Sequence, residues 1–82
     1  MKKYEFTGEI KMWFGRELKR IRAIIAFGNV NAGDIGGWIE KEENLAHSGF
    51  AWVRDSAVVS GSAEVRDSAV VRDSAVVRDS AV

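Results

Sequence analysis

The chain contains a single histidine, His47, in the stretch "NLAHSGF", beside Ser48 and shortly after Glu42 and Glu43. An imidazole can serve as a general base when a second group orients it, and the two glutamates are the nearest carboxylates in sequence. Few other chemistries have their residues. There is no cysteine, so disulfides and cysteine-ligated zinc are excluded, and one histidine cannot make a histidine-rich metal site. No metal site is expected. The stretch "GDIGG" lacks the spacing of a dinucleotide-binding loop, and no Gly-Lys-Ser/Thr phosphate loop occurs. Ser-His-Asp and paired-carboxylate arrangements are also missing. A lone loop histidine is more often a surface residue, so the main reading assigns no catalytic residue and an alternative reading rests on His47.

Whatever positions that loop is small. Eighty-two residues make one domain at most, and a domain of this size buries a modest fraction of its surface. Twelve basic and twelve acidic residues cancel, so no global field favours nucleic acid or anionic lipid. Residues 1–27 carry seven basic against three acidic side chains, a local excess of +4 that reads as a solvated face. The opening "MKKYEFTGEI" lacks the apolar run of a signal peptide, and no segment is long enough to span a bilayer. The expectation is a cytoplasmic protein with no membrane contact, no nucleic-acid partner and no cofactor.

The tail is a repeat. Cut every six residues from Ala51, it reads AWVRDS, AVVSGS, AEVRDS, AVVRDS, AVVRDS, AV. A period of six does not fit the stripe of an amphipathic helix, and recurring valine and serine are poor helix formers. Within A-x-V, alanine and valine point to one side of a short strand and the middle residue points away. The R-D-S or S-G-S that follows is turn-prone. Each hexad is therefore a short strand plus a corner, and three hexads close one coil of a triangular prism. Positions three hexads apart then stack, Val53 over Val71 and Trp52 over Val70. The outward positions are Trp52, Val58, Glu64, Val70, Val76 and Val82.

This pattern resembles the hexapeptide-repeat family of left-handed parallel β-helices. The match is carried by Ala51, Ala57, Ala63, Ala69 and Ala75 at the small inward position, and by Val53, Val59, Val65, Val71 and Val77 at the aliphatic one. Upstream, "KYEFTGE" and "LKRIRAIIAFGNVNAGDIGGWIEKEENLAHSGFAWV" resemble the opening of small β-helical proteins of phages and prophages. That resemblance implies the cytoplasm of an infected or lysogenic bacterial host. It also implies an alternative, because acyl-CoA-dependent hexapeptide acyltransferases are similar in fold and use a loop histidine to activate the acceptor. His47 is the residue in the matching place.

The front half reads as a hairpin and an entry coil. "KYEFTGEI" alternates like a strand. "RELKRIRAIIAF" fits a strand through Ile21, Ala23, Ile25 and Phe27, and also fits a helix stripe through Leu18, Ile21 and Ile25. The strand is preferred, with Trp13 and Phe14 exposed at the hairpin tip. Ile39 and Leu45 keep the six-residue spacing, but Val53 follows eight residues after Leu45, so the loop between them bulges by two. Trp38 is expected to cover the open end of the first coil. The fold class is all-β: a short left-handed parallel β-helix preceded by an N-terminal β-hairpin. Its parts are a cap over 1–28, an entry coil over 29–50 and the repeats over 51–82, all in one compact unit.

Taken together, these residues suggest a non-catalytic binding or assembly module of phage type. It would act by protein–protein contact, and inhibition or redirection of a host factor is one version. Its partners would be further copies, through the prism faces or the open last coil, or a host protein. The contact residues would be Trp13, Phe14, Trp52, Val58, Val70 and Val76, with Ala81 and Val82 at the end where the repeat breaks off.

Overall fold

The computed structural model describes residues 2–78. Among these the chain is all-β, with one 3₁₀ turn (Glu42–Asn44) as the only helical element. No helix among the described residues is long and apolar enough to cross a membrane.

Strands β1 (Tyr4–Trp13) and β2 (Arg16–Ala23) pair antiparallel around a turn at Phe14 and Gly15. The strand alternative thus holds as far as Ala23. Burial decides it: Leu18 is buried on one face of β2, Ile21 and Ala23 on the other, while Ile25 of the rival helix stripe is exposed. The register slips between Phe6 and Ile10, which bends the hairpin. Tyr4 lies over the core at one end, while Ile10 and Met12 stay exposed beyond it.

Strand β3 (Ile35–Ile39) pairs antiparallel with β2 and parallel with β5 (Val58–Val59), which in turn pairs parallel with β7 (Val76–Val77). The sheet order is β1-β2-β3-β5-β7, and β4 (Trp52–Val53) with β6 (Val70–Val71) forms a separate two-stranded sheet. Within the repeats each partner lies three hexads further along the chain, Trp52 with Val70 and Val58 with Val76. Upstream of the repeats the step is longer by two positions, as in Trp38 with Val58 and the bridge of Leu45 with Val65. The two extra residues therefore fall after Leu45 and before β4, in the loop that carries His47.

Each described corner of the repeats has the same local solution. Asp55, Asp67 and Asp73 sit at φ near +60°, at 60°, 62° and 61°, and Gly61 takes the equivalent place at 66°. Asp tolerates this left-handed region better than most residues and Gly has no penalty there. The turn closes by hydrogen bonds such as Ala57 N–H to Arg54 C=O at 3.2 Å and Ala75 N–H to Arg72 C=O at 3.2 Å. The recurring R-D-S is thus a turn sequence with its Asp where the backbone reverses.

The inward Ala51, Val53, Ala57, Val59, Ala63 and Val65 are buried with Ile39, Leu45 and Tyr4. In β3 the segment Gly37-Trp38-Ile39 follows the A-x-V pattern, with glycine at the small position. A Cβ on Gly37 would stand 2.7 Å from the Ala57 carbonyl oxygen and 2.8 Å from Val53 Cγ1, so alanine cannot replace it without a shift. Two outward positions differ from expectation. Trp52 is only 3% exposed because Phe27 packs edge-on against it, the ring centroids being 5.3 Å apart. Val58 is also 3% exposed, in a second cluster with Leu18 and Trp38 against which Trp13 packs. Trp38 therefore lines an outer face and does not cap a coil end; Lys11 Nζ lies 4.6 Å and Arg20 Cζ 5.2 Å from its ring.

Candidate functional site

The two-residue excess falls in an irregular loop, residues 40–50, between β3 and β4. Its foundation is Asn44, which is fully buried. The Asn44 side-chain oxygen accepts from the Glu40 and Lys41 N–H groups at 3.0 and 2.8 Å. Its amide nitrogen donates to the Gly61 and Ala63 carbonyls at 3.1 and 2.8 Å. One side chain thus stitches the 3₁₀ turn to the coil below, with every amide hydrogen-bonding position used. The Tyr4 hydroxyl secures the turn from above. It shares its proton between the Leu45 carbonyl at 2.7 Å and the Glu42 carbonyl at 2.9 Å. Burial, and then the charges of Glu42 and Glu43, push the Tyr4 pKa well above its ordinary value.

His47 is held on three sides. Its ring stacks on Tyr4 with centroids 4.1 Å apart and planes 12° from parallel. Nε2 lies 2.7 Å from Glu42 Oε2. Nδ1 accepts the Lys3 main-chain N–H at 3.2 Å. An acceptor faces Nε2 and a donor faces Nδ1, so the fitting tautomer carries its proton on Nε2 and its lone pair on Nδ1. The hydrogen bond from His47, with a smaller contribution from Lys2 Nζ at 3.3 Å, holds the Glu42 carboxyl below its ordinary range. A carboxylate that orients an imidazole in its neutral form is the arrangement general-base catalysis requires.

This pair lines an open groove of about 430 Å³, together with Glu43, Leu45, Ala46 and Glu64. Three carboxylates make it acidic. A second hollow, about 690 Å³, lies on another face and includes Phe50, Trp52, Arg54, Val70 and Arg72. Glu40 belongs to the scaffold: it accepts the Gly61 N–H at 2.7 Å and pairs with Arg16 Nη1 at 2.8 Å. The Gly61 bond is the main reason its carboxyl stays below the ordinary range.

The residues expected to form a contact surface fall in several places: Trp52 pairs with Val70, Val58 with Val76, and Trp13 packs near Val58. Phe14 is 86% exposed at the hairpin tip, whereas Trp13 is turned partly into the second cluster. Trp52 and Val58 are largely covered from within the chain, Trp52 keeping only a small edge on the second hollow. Val70 and Val76, the equivalent positions one coil on, are 50% and 46% exposed. Ala81 and Val82 lie outside the described residues. Sequence reading named Glu42 as a neighbour of His47 and missed Lys3 and Asn44. No local pattern marks Lys3, because its partners His47 and Ala51 lie far along the chain.

No protein-family model matches the chain. The chain is 36% identical over 76 residues to an uncharacterized acetyltransferase, YdcK, of Escherichia coli (strain K12). The match covers 74% of this chain and 23% of that protein, so the chain spans about a quarter of the length of the curated relative it matches. This likeness overturns the expectation of a non-enzyme, because a relative named for acetyl transfer points toward catalysis. It favours the acyltransferase alternative over the phage binding module, and lends no support to a phage or prophage origin.

Proposed function

We propose that this chain is the catalytic-loop segment of an acetyltransferase of the hexapeptide-repeat, left-handed β-helix class, with His47 as general base and Glu42 as its orienting carboxylate. The observation that carries the reading is the Glu42–His47 hydrogen bond at the edge of an open groove. Parallel pairing between strands three hexads apart, one full coil, supports the triangular solenoid. The likeness to a protein named as an acetyltransferase supports the reaction class.

The chemistry follows from the loop. An acceptor hydroxyl or amine in the groove gives its proton to the His47 lone pair as its oxygen or nitrogen attacks the carbonyl carbon of an acetyl thioester. The carbon–sulfur bond then breaks, and the leaving thiolate takes up that proton. Glu42 holds the ring in place and stabilises the imidazolium between the two steps. The acidic lining by Glu42, Glu43 and Glu64 repels phosphate, so the groove serves the acceptor and not the diphosphate of an acyl-CoA. The second hollow, where Arg54 and Arg72 are balanced by Asp34 and Asp55, repels phosphate less than this groove does.

The test is thiol release from acetyl-CoA by the purified protein with a panel of amine and hydroxyl acceptors. Replacing His47 by alanine should lower kcat/KM by roughly 10²–10⁴-fold, and Glu42→Gln by less. No acceptor-dependent thiol release with any acceptor, or full activity in the His47→Ala protein, would sink the proposal.

A further inference from the structure

The lone pair that a base needs is covered. His47 Nδ1 faces the Lys3 main-chain N–H at 3.2 Å, and Lys2 Nζ stands 3.3 Å from Glu42 Oε2, the same oxygen that His47 Nε2 contacts. The two residues leading into β1 thus lie across both members of the pair. They are pinned there by an uncommon device. Lys3 is almost fully buried, yet its ammonium meets no carboxylate among the described residues. Nζ donates to the Ala51 carbonyl at 2.7 Å, with the Ser48 and Gly49 carbonyls at 3.4 Å and the Phe27 ring centroid at 4.5 Å. The Lys3 carbonyl in turn accepts the Ile24 N–H at 2.9 Å. Every polar group of Lys3 is committed, and its side chain grips the same loop, residues 48–51, that follows His47.

A buried cation without a counter-ion is an expensive way to fill space. Desolvation lowers the Lys3 pKa, and an apolar side chain could pack against Phe27 without that penalty. A methionine could not, however, hold three carbonyls of the His47 loop at fixed distance from the segment that caps the ring.

We infer that Lys3 is the positioning residue of the His47 site, pinning residues 2–3 as a strap that occupies the place an acceptor must take at Nδ1. The ammonium clamps the loop from below and the main-chain N–H caps the ring from the side. The pair is therefore built in a closed arrangement. It opens when the Lys3 N–H leaves Nδ1, either because an acceptor displaces it or because the ammonium leaves its carbonyl cage. The consequence for turnover rests on the acetyl-transfer reading above; the strap itself does not.

Because the chain has one histidine, diethyl pyrocarbonate reads the strap directly. The reagent transfers its ethoxycarbonyl group to an unprotonated ring nitrogen and releases ethyl carbonate, so it reports access to the lone pair. His47 should react more slowly than N-acetylhistidine. Lys3→Met, checked for a retained fold by circular dichroism, should speed the reaction about tenfold by letting the strap open locally. A wild-type rate equal to that of N-acetylhistidine, or a folded Lys3→Met protein with no acceleration, overturns the strap. Should Lys3→Met not fold, amide hydrogen exchange of the wild type decides: a protected Lys3 N–H supports the cap, and free exchange overturns it. A slow, strap-dependent His47 in a protein that transfers no acetyl group would remove the proposed function and leave the strap standing.

Discussion

Trp52 and Val70 occupy the same position of the repeat three hexads apart and pair in parallel, and so do Val58 and Val76. The first of each pair is buried and the second is about half exposed. Their local sequences and backbones are alike; what differs is the company. Around β4 and β5, the hairpin, β3 and Phe27 cover the outward side chains. Val70 of β6 and Val76 of β7 lack such cover among the described residues. The repeats therefore supply a uniform frame, and the irregular front half decides which parts of it become core. The same contrast holds for chemistry. The described corners of the repeats carry Arg beside Asp, or Ser-Gly-Ser, and the pairing there is of the Arg54–Asp55 kind, with no histidine. The one loop that breaks the period brings together a histidine, its carboxylate and a buried lysine.

Three measurements would break or sharpen this contrast. The largest effect should come from Asn44, the fully bonded amide under the irregular loop. Asn44→Ala leaves two N–H donors and two carbonyls without their partner and should cost about 3 kcal/mol of stability. A loss below about 1 kcal/mol in urea unfolding would mean that the loop does not depend on that stitch.

A smaller effect should separate the stacked valines. Val58→Ala removes buried methyl groups from the cluster with Leu18 and Trp38 and should cost about 2 kcal/mol. Val76→Ala, at the equivalent half-exposed position, should cost less than about 0.5 kcal/mol. Equal losses would show that the outer face of the second coil is covered in solution, by another copy or another segment.

The smallest effect should be the acid limb of stability. Glu40 and Glu42 both have carboxyl groups held below the ordinary value of 4.5, chiefly by the Gly61 N–H and by His47 respectively. Below that value the unfolded chain takes up protons that the folded chain does not. Stability from these contacts is complete above the ordinary value and drains away as pH falls through the lowered ones. Urea midpoints measured from about pH 6 to about pH 3 should fall, and Glu40→Gln and Glu42→Gln should each flatten that fall. An unchanged slope in both variants would place the acid sensitivity elsewhere.

Part of the site was legible. A lone histidine in the only loop that breaks a six-residue period is a visible signal, and the nearby glutamates marked its partner. Sequence also exposed the extra pair of residues, since Leu45 and Val53 lie eight apart where the repeat spacing is six. These signals carry little weight by themselves, because isolated loop histidines are commonly inert and nothing local shows whether an imidazole is oriented. The outward aromatic and valine positions were legible as outward but not as covered. Their cover comes from Phe27, Leu18 and Trp38, which belong to other elements far back in the chain.

What the sequence determined by itself is the frame. Alternation within A-x-V sets which side chains point inward. Asp or Gly at the fourth position after each alanine from Ala51 to Ala69 sets where the backbone turns. Both are decided within a few residues. How the His47 ring is held was decided by tertiary structure. Lys3 meets His47 across 44 residues, Ala51 across 48, and Tyr4 meets Leu45 across 41. Such contacts exist only once the hairpin has folded onto the first coil, and they are made largely through backbone N–H and C=O groups. Every residue here carries those groups, so no choice of side chain announces them.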